Sequence, residues 1–482
     1  MPHVYEILPL FETAMLHRRQ FLQTAFAAHA ARRPNVITIL ADDLGYGDLS
    51  SYGGEIPTPC LDRLASQGLR FTQAYVASPI CSPSRVGITT GQCPARHLIF
   101  SYLDSRASQR KRGMRDWLDP AVPTLARTFR QAGYATAHFG KWHMGGGRDV
   151  GDAPLITEYG FDESLTTFEG LGDRVLGSDR LSQMSEKLGR GRITHAPQHE
   201  ITERFVDRSL DFIERNKARP FFLELWPNDV HDPFDPKPEL FRKYQRFSYN
   251  KYLQQFYATL DEFDRQMGRV IDKVDALGLG RDTVIVFIGD NGPTAWPRYY
   301  REGFAPPGST AGFRGRKWSL YEGGIREPMI VRWTGRAPAG RVDDSTLVSS
   351  LDFFPTLCRL AGIPAPSVAF DGEDLSAAFL GRPRQRRNDL FWEYGRDASY
   401  LRPGRVDDQS PNLAIRSGRW KFLVNDDGSR PELYDFSQSQ SERAEVSARH
   451  PAVARQLSER LLAWRRSVEP STLRPAKLRK SP

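Results

Sequence analysis

Cross-linking chemistry has little to work with here. Only four cysteines occur in 482 residues, Cys60, Cys81, Cys93 and Cys358. They are too few for a disulfide framework, and none shares the short paired spacing of a zinc site. Long hydrophobic runs are also missing. No stretch approaches the roughly 18 apolar residues of a membrane-spanning helix. No internal repeat is present, which excludes solenoids and propellers. Acidic residues are in deficit, 58 against 67 Lys and Arg, for a formal net charge of +9. Such a balance steers anionic partners towards the surface. No nucleic-acid motif accompanies the basic clusters, such as Arg382-Pro383-Arg384-Gln385-Arg386-Arg387 and the C-terminal tail, so nucleic acid is not an expected partner.

What remains is globular. Hydrophobic residues make up 39% and charged residues 26%, and the length suits one large domain and one small one. Residues 1–33 are set apart from the fold. Arg18-Arg19-Gln20-Phe21-Leu22 resembles a twin-arginine export signal, and a short apolar run after it ends in Ala28-His29-Ala30, an A-x-A cleavage pattern. Met15 offers an internal start. The expected location is periplasmic or extracellular. If the arginine pair is accidental, the segment is an extension and the protein is cytoplasmic.

Val36-Ile37-Thr38-Ile39-Leu40-Ala41 is β-branched and apolar throughout, as in a parallel strand buried on both faces. Helices are expected near 58–67, 122–132, 199–216 and 249–277, and strands near 134–139, 221–225, 283–288 and 328–333. This alternation implies a parallel sheet covered by helices. After about residue 365 the pattern changes. Short strands at 413–416, 420–423 and 432–435 precede a helix near 449–466, whose Val453, Leu457, Leu461 and Trp464 recur at helical spacing. The boundaries are 34–365 for the α/β domain, 366–467 for a small C-terminal α+β domain with an antiparallel sheet, and 468–482 for a basic tail.

Two acidic clusters close hydrophobic strands: Asp42-Asp43 after the first, Asp290-Asn291 after Thr283-Val284-Ile285-Val286-Phe287-Ile288. Ligands of open α/β sheets bind beyond the carboxyl ends of the strands. Three carboxylates and an amide oxygen make a hard-oxygen site, suited to Ca²⁺ or Mg²⁺ rather than zinc. Turn formation and helix capping are the competing reading of Asp42-Asp43.

Cys81-Ser82-Pro83-Ser84-Arg85 resembles the C-x-P-x-R signature of type I sulfatases, and Val86-Gly87-Ile88-Thr89-Thr90-Gly91 extends the match. Gly133-Tyr134-Ala135-Thr136-Ala137-His138-Phe139-Gly140-Lys141-Trp142-His143 resembles the second signature of that family, G-Y-x-T-x-x-x-G-K-x-H. Asp42-Asp43-Leu44-Gly45, Asp290-Asn291-Gly292 and the Lys317 to Pro328 segment with its Glu322-Gly323-Gly324 follow the family order. The resemblance continues through Ser350-Leu351-Asp352-Phe353 and Asp371-Gly372-Glu373-Asp374-Leu375 to Arg419-Trp420-Lys421. His231 stands in Asp229-Val230-His231-Asp232-Pro233, with Val230 where the family pattern P-H-x-P has proline.

The resemblance implies an alkaline-phosphatase-like large domain and hydrolysis of sulfate monoesters, with sulfated carbohydrates the expected substrates. It implies that a maturation enzyme oxidises Cys81 to formylglycine. It assigns Asp42, Asp43, Asp290 and Asn291, with residue 81, to one divalent ion, calcium or alternatively magnesium. Arg85 and Lys141 would hold the hydrate and the sulfate, His143 would deprotonate the hydrate, and His231 and Lys317 would assist the leaving alcohol. His138 matches no catalytic position. Arg314 and Arg316 are cationic neighbours that the spacing to Glu322 passes over. Pro83 suits the first turn of a helix, which puts residue 81 at a positive N-terminus. Asp104, Arg106 and the segment 165–195 are placed to line a specificity pocket. Two alternatives stand beside this reading: a phosphate or phosphonate ester hydrolase of the same superfamily, and a catalytically silent binder of sulfated glycans.

Overall fold

The computed structural model describes residues 33–167, 169–178 and 184–468. The Arg18-Arg19 segment and the tail beyond residue 468 lie outside the described residues. The strands of the larger sheet are β1 (Asn35–Ala41), β2 (Leu69–Tyr75), β3 (Ala135–Gly140), β4 (Glu163–Thr166), β5 (Arg174–Leu176), β6 (Ile193–His195), β7 (Phe221–Trp226), β8 (Thr283–Gly289), β9 (Arg326–Arg332), β10 (Arg341–Asp343) and β11 (Val348–Ser349). They run in the order β10-β2-β9-β8-β1-β7-β3-β4-β5-β6, with β11 beside β2.

Period-two alternation puts the central strand in two cores. Val36 and Leu40 of β1 pack into one, Ile37, Ile39 and Ala41 into the other. Helices Ile201–Asn216 and Lys251–Ala276 cover the second face, their apolar stripes carrying Phe205, Phe212, Phe263 and Val270.

The sheet is mixed where the sequence pattern implies a parallel one. β9 runs antiparallel to both β2 and β8. The reversal has a consequence for the site. Chain leaving β2 and chain entering β9 arrive at the same sheet edge, because Tyr75 stands opposite Arg326. The expected helices and the strands at 134–139, 221–225, 283–288 and 328–333 are all present within two or three residues. β2 was not anticipated, since Arg70, Thr72 and Gln73 interrupt its apolar pattern. Gln73 and Arg70 bond to backbone carbonyls of distant segments instead.

The second sheet is antiparallel: β12 (Leu390–Glu393), β13 (Leu413–Ser417), β14 (Trp420–Val424) and β15 (Glu432–Asp435). Leu457 and Leu461 of the helix Pro451–Val468 cover one face, on Ile415, Phe422 and Leu433. The other face, with Ala414, Leu423 and Tyr434, joins the core of the large sheet. A buried charge cluster fastens the join: Lys421 Nζ lies 2.8 Å from Glu322 and 2.7 Å from Glu442. β12 was not anticipated, whereas the equally short β15 was.

Candidate active site

Strand register builds the floor of a cavity. Ala41 of β1 pairs with Gly289 of β8, so Asp42 and Asp290 emerge side by side. Gly140 of β3 pairs with Trp226 of β7, so Lys141 emerges at the same edge. Gly140 has φ 138°, and a Cβ there would stand 2.0 Å from the Trp226 carbonyl oxygen, so only glycine permits this approach. Gly292 is equally tight: a Cβ would meet the Gly323 carbonyl at 2.0 Å. That contact brings the loop before β9, and with it Lys317, against Asp290-Asn291.

Cys81 opens the helix Cys81–Thr90, with Ile80 as N-cap and no side chain capping the first turn. Pro83 lies in that turn. Among the described residues no side chain caps the first-turn N–H groups, and such a helix end favours anions. Arg85 is fully buried. Its Nε and Nη2 donate to Asp290 Oδ2 at 3.1 and 2.9 Å, and its Nη1 to the Lys141 carbonyl at 2.6 Å. Nη2 also lies 3.7 Å from Asp42.

The other floor residues converge on the two aspartates. Lys141 Nζ donates to Asp42 Oδ2 at 2.6 Å and Lys317 Nζ to Asp43 Oδ1 at 2.5 Å. Asn291 Nδ2 donates to the same Asp43 oxygen at 2.8 Å. His231 Nε2 is 3.6 Å from Asp43 Oδ2, and its Nδ1 contacts the Asp232 carbonyl. His143 Nε2 is 3.4 Å from the Leu103 carbonyl. The peptides Asp229–Val230 and Asp232–Pro233 are cis. Asp43, His143 and Trp318, beside Lys317, all adopt positive φ, of 59°, 54° and 72°. Left-handed backbone at non-glycine residues is held only where surrounding structure enforces it.

The electrostatics are those of a crowded buried site. Burial would raise Asp42, but Lys141, His231 and Arg85 outweigh it and its pKa is lowered. Burial and the charge of Asp42 push Asp290 up, with Arg85 opposing. Burial works against the ammonium of Lys317, yet Asp43 dominates and its pKa is raised. Burial pulls His143 down to about 3, with Lys141 adding to the effect. Burial also lowers His231, with Asp43 opposing. Both imidazoles are therefore neutral near pH 7.

A hard cation fits this floor. Asp42 Oδ1, Asp43 Oδ2 and Asn291 Oδ1 are buried and, among the described residues, accept no hydrogen bond. One ligand atom each from Asp42, Asp290 and Cys81 lies within 4.8 Å of the others, and Asp42, Asp43 and His231 form a second such group. Orphaned oxygens and repelling carboxylates are what a divalent ion would satisfy.

Above the floor the cavity encloses about 560 Å³, with Tyr102, Asp104, Arg148, Trp296, Trp318 and Leu401 among its walls. Sequence reasoning missed most of these. Asp104 does line the cavity, and so does Met184, among the described residues of the 165–195 segment. Arg106 does not: it pairs with Asp116 and Asp152 over a separate surface cleft. His138 is buried away from the cavity, 2.9 Å from Glu224. Arg314 packs 3.8 Å from the Tyr321 ring centroid, and Arg316 bonds to the carbonyls of Thr294 and Gly308, so neither competes with Lys317. The signal for Arg148 was in the sequence, as the run Gly145-Gly146-Gly147 before it.

A mostly parallel large sheet covered by helices, with a small antiparallel sheet beside it, is an alkaline-phosphatase-like fold. The particular family follows from comparison with known proteins. The model described as Sulfatase matches residues 34–363, so the chain belongs to the sulfatase family and is a sulfatase by homology. A second model, N-sulphoglucosamine sulphohydrolase, C-terminal, matches residues 312–467. Arylsulfatase A of Homo sapiens is 31% identical, over 86% of this chain and 79% of its own. N-acetylgalactosamine-6-O-sulfatase of Bacteroides thetaiotaomicron is 29% identical, over 89% of this chain and 93% of its own. Among solved structures, Ps i-CgsB in complex with k-i-k-neocarrahexaose superposes with a TM-score of 0.75 at 26% identity, covering 91% of this chain and 94% of that one. Among the described residues no helix is long and apolar enough to cross a membrane.

Proposed function

We propose that this sulfatase cleaves sulfate monoesters of carbohydrates, with Cys81 converted to formylglycine and one divalent ion, calcium before magnesium, held by Asp42, Asp43, Asp290, Asn291 and residue 81. The observation that carries the reading is the setting of Cys81. It stands at an uncapped helix N-terminus, within 4.8 Å of Asp42 and Asp290. The carbohydrate substrate is supported by the relatives, one named for N-acetylgalactosamine and one crystallised with a carrahexaose.

The hydrate of formylglycine supplies one hydroxyl to attack sulfur and a second whose deprotonation releases sulfate. Asp42, Asp43, Asp290 and Asn291 would hold a divalent ion, which would supply positive charge for an anionic substrate and lower the pKa of a nearby hydroxyl. Arg85 and Lys141 orient the anionic groups through charge-assisted hydrogen bonds. His143 is neutral. With its Nε2 proton towards the Leu103 carbonyl, Nδ1 carries the lone pair that takes the proton of the second hydroxyl. Lys317 stays an ammonium and stabilises the departing oxygen. His231 directs Nε2 towards Asp43, whose charge, together with an arriving sulfate, favours the protonated acid. The floor pairs Asp42, Asp43 and Asp290 against Arg85, Lys141 and Lys317, so a divalent cation leaves a double positive charge. One anionic sulfate ester and one ionised hydrate balance it.

Paired turnover of matched sulfate, phosphate and phosphonate esters tests the reaction. Sulfate esters should be hydrolysed fastest. Faster phosphonate turnover would move the chain to the neighbouring hydrolase class. Export through Arg18-Arg19 is part of the same reading: replacing both with lysine should retain the protein in the cytoplasm, and unchanged fractionation would make residues 1–33 an extension only.

A further inference from the structure

The cavity wall carries a charged cluster that the reaction above does not use. Asp104 stands between two guanidinium groups. It forms an ion pair with Arg148, and Arg112 Nη2 lies 3.5 Å from its Oδ2. Arg112 is buried and also committed to Ser108 Oγ and the Tyr102 carbonyl, at 2.8 and 3.3 Å. The Tyr102 ring holds both cations near its face, Arg112 at 4.6 Å and Arg148 at 5.8 Å from the centroid. Tyr102, Asp104 and Arg148 border the cavity, whereas Arg112 sits behind them.

Two guanidinium groups against one carboxylate leave this wall one positive charge in excess. Glu169 is buried near His143 and Arg148; burial raises its pKa, with those two residues opposing. Arg148 is also held in place by its backbone. Its φ is 54°, after Gly145 and Gly146 at 132° and 90°. Its Nε is buried and, among the described residues, has no hydrogen-bond partner. A buried charged donor left without a partner is costly unless something that binds supplies the acceptor.

We infer that Arg148, backed by Arg112 across Asp104, is a specificity-determining residue that receives a second anionic oxygen group of the substrate. This group is a sulfate or carboxylate, on the sugar bearing the scissile ester or on its neighbour. The inference rests on the sulfatase reading of the cavity floor.

Binding without turnover tests it. The Cys81→Ser protein is titrated calorimetrically with three saccharides of one backbone: monosulfated, disulfated, and monosulfated with a uronate. At least one dianion should bind about tenfold or more tightly than the monoanion, the scale of one charge-assisted contact. Arg148→Gln should erase that margin and Arg148→Lys keep part of it. Asp104→Asn, which releases Arg148 from its carboxylate, should widen it. A margin for the disulfated saccharide alone names sulfate as the group, and a margin for the uronate alone names carboxylate. Equal affinity for all three, no measurable binding of the dianions, or a margin that survives Arg148→Gln overturns the inference. So does a uniform loss on Arg148→Gln, which would indicate contact with sugar hydroxyls. Turnover of nitrophenyl sulfate by the native protein tests the sulfatase reading separately, so either can fail while the other stands.

Discussion

On the cavity floor, Asp42, Lys141 and Asp290 stand one residue beyond strands whose register is fixed by backbone hydrogen bonds, and Arg85 ties two of those strand ends together. On the wall, Tyr102, Arg148, Trp296 and Leu401 lie on connecting segments, all four of them only partly buried. The floor is thus positioned by the sheet itself, with every cation bonded to a carboxylate. The wall is positioned by side-chain contacts among loops. A substitution on the floor should therefore act on the chemistry, while one on the wall should act on which substrate is chosen.

The largest effect is expected at residue 81. Cys81→Ala should fold normally, because a small buried side chain is exchanged for a smaller one, yet lose on the order of 10⁴-fold or more in kcat. Peptide mass spectrometry of the active native protein should find the aldehyde or its hydrate. Fully active protein with an intact Cys81 thiol would remove the floor's special status. Next, Asp290→Ala should lower bound metal and activity together. It deletes one carboxylate and also leaves the buried Arg85 without its double hydrogen bond. A loss of more than about 100-fold is expected. Elemental analysis of the native protein should give one calcium or magnesium per chain, and two zinc ions would contradict the hard-oxygen reading.

Lys317→Ala and His231→Ala come next, at roughly 10²–10⁴-fold on sugar sulfates. An alkyl alcohol is a poor leaving group and needs a proton or a cation at its oxygen. An activated nitrophenyl ester needs neither as much. The two variants should therefore lose far more on sugar sulfates than on nitrophenyl sulfate. Equal losses would shift both residues to sulfate binding. The pH profile separates them. Asp43 holds the Lys317 ammonium above its ordinary range, and burial holds His231 below its own. A rate limited by acid from His231 falls as pH rises through that lowered pKa. A rate assisted only by Lys317 stays flat through neutrality. That fall with rising pH should persist in Lys317→Ala and vanish in His231→Ala.

The same division explains what the sequence could disclose. Floor residues were legible because each sits at a fixed offset from a hydrophobic run, as Asp42 does after Val36–Ala41, and because short signatures tie Cys81 to Arg85 and Lys141 to His143. Their convergence follows from register and from the reversed direction of β9, which no local pattern announced. β2 was illegible because its polar residues find distant carbonyl partners. Wall residues come from segments near positions 102, 148, 296 and 401, and only tertiary packing joins them. Asp104 and Arg106 are two apart in sequence, yet the first lines the cavity and the second faces another cleft.

Trp296 offers the smallest effect and the sharpest test of the wall. Its ring packs edge-on against Trp318 at 4.7 Å, and Trp318 follows Lys317 directly, in a strained left-handed conformation. The pair thus forms an aromatic flank beside Lys317, the residue proposed to meet the leaving oxygen, and so beside the sugar of the proposed substrate. An aromatic contact of this kind is worth about 0.5–1.5 kcal/mol, or roughly 2- to 13-fold in affinity. Trp296→Ala should raise KM for sugar sulfates by that factor and change KM for sulfate esters of small alkyl alcohols less, because those leave no ring to stack. If kcat falls instead and KM holds, Trp296 acts through Trp318 on the placement of Lys317, and the flank belongs to the floor rather than to the wall.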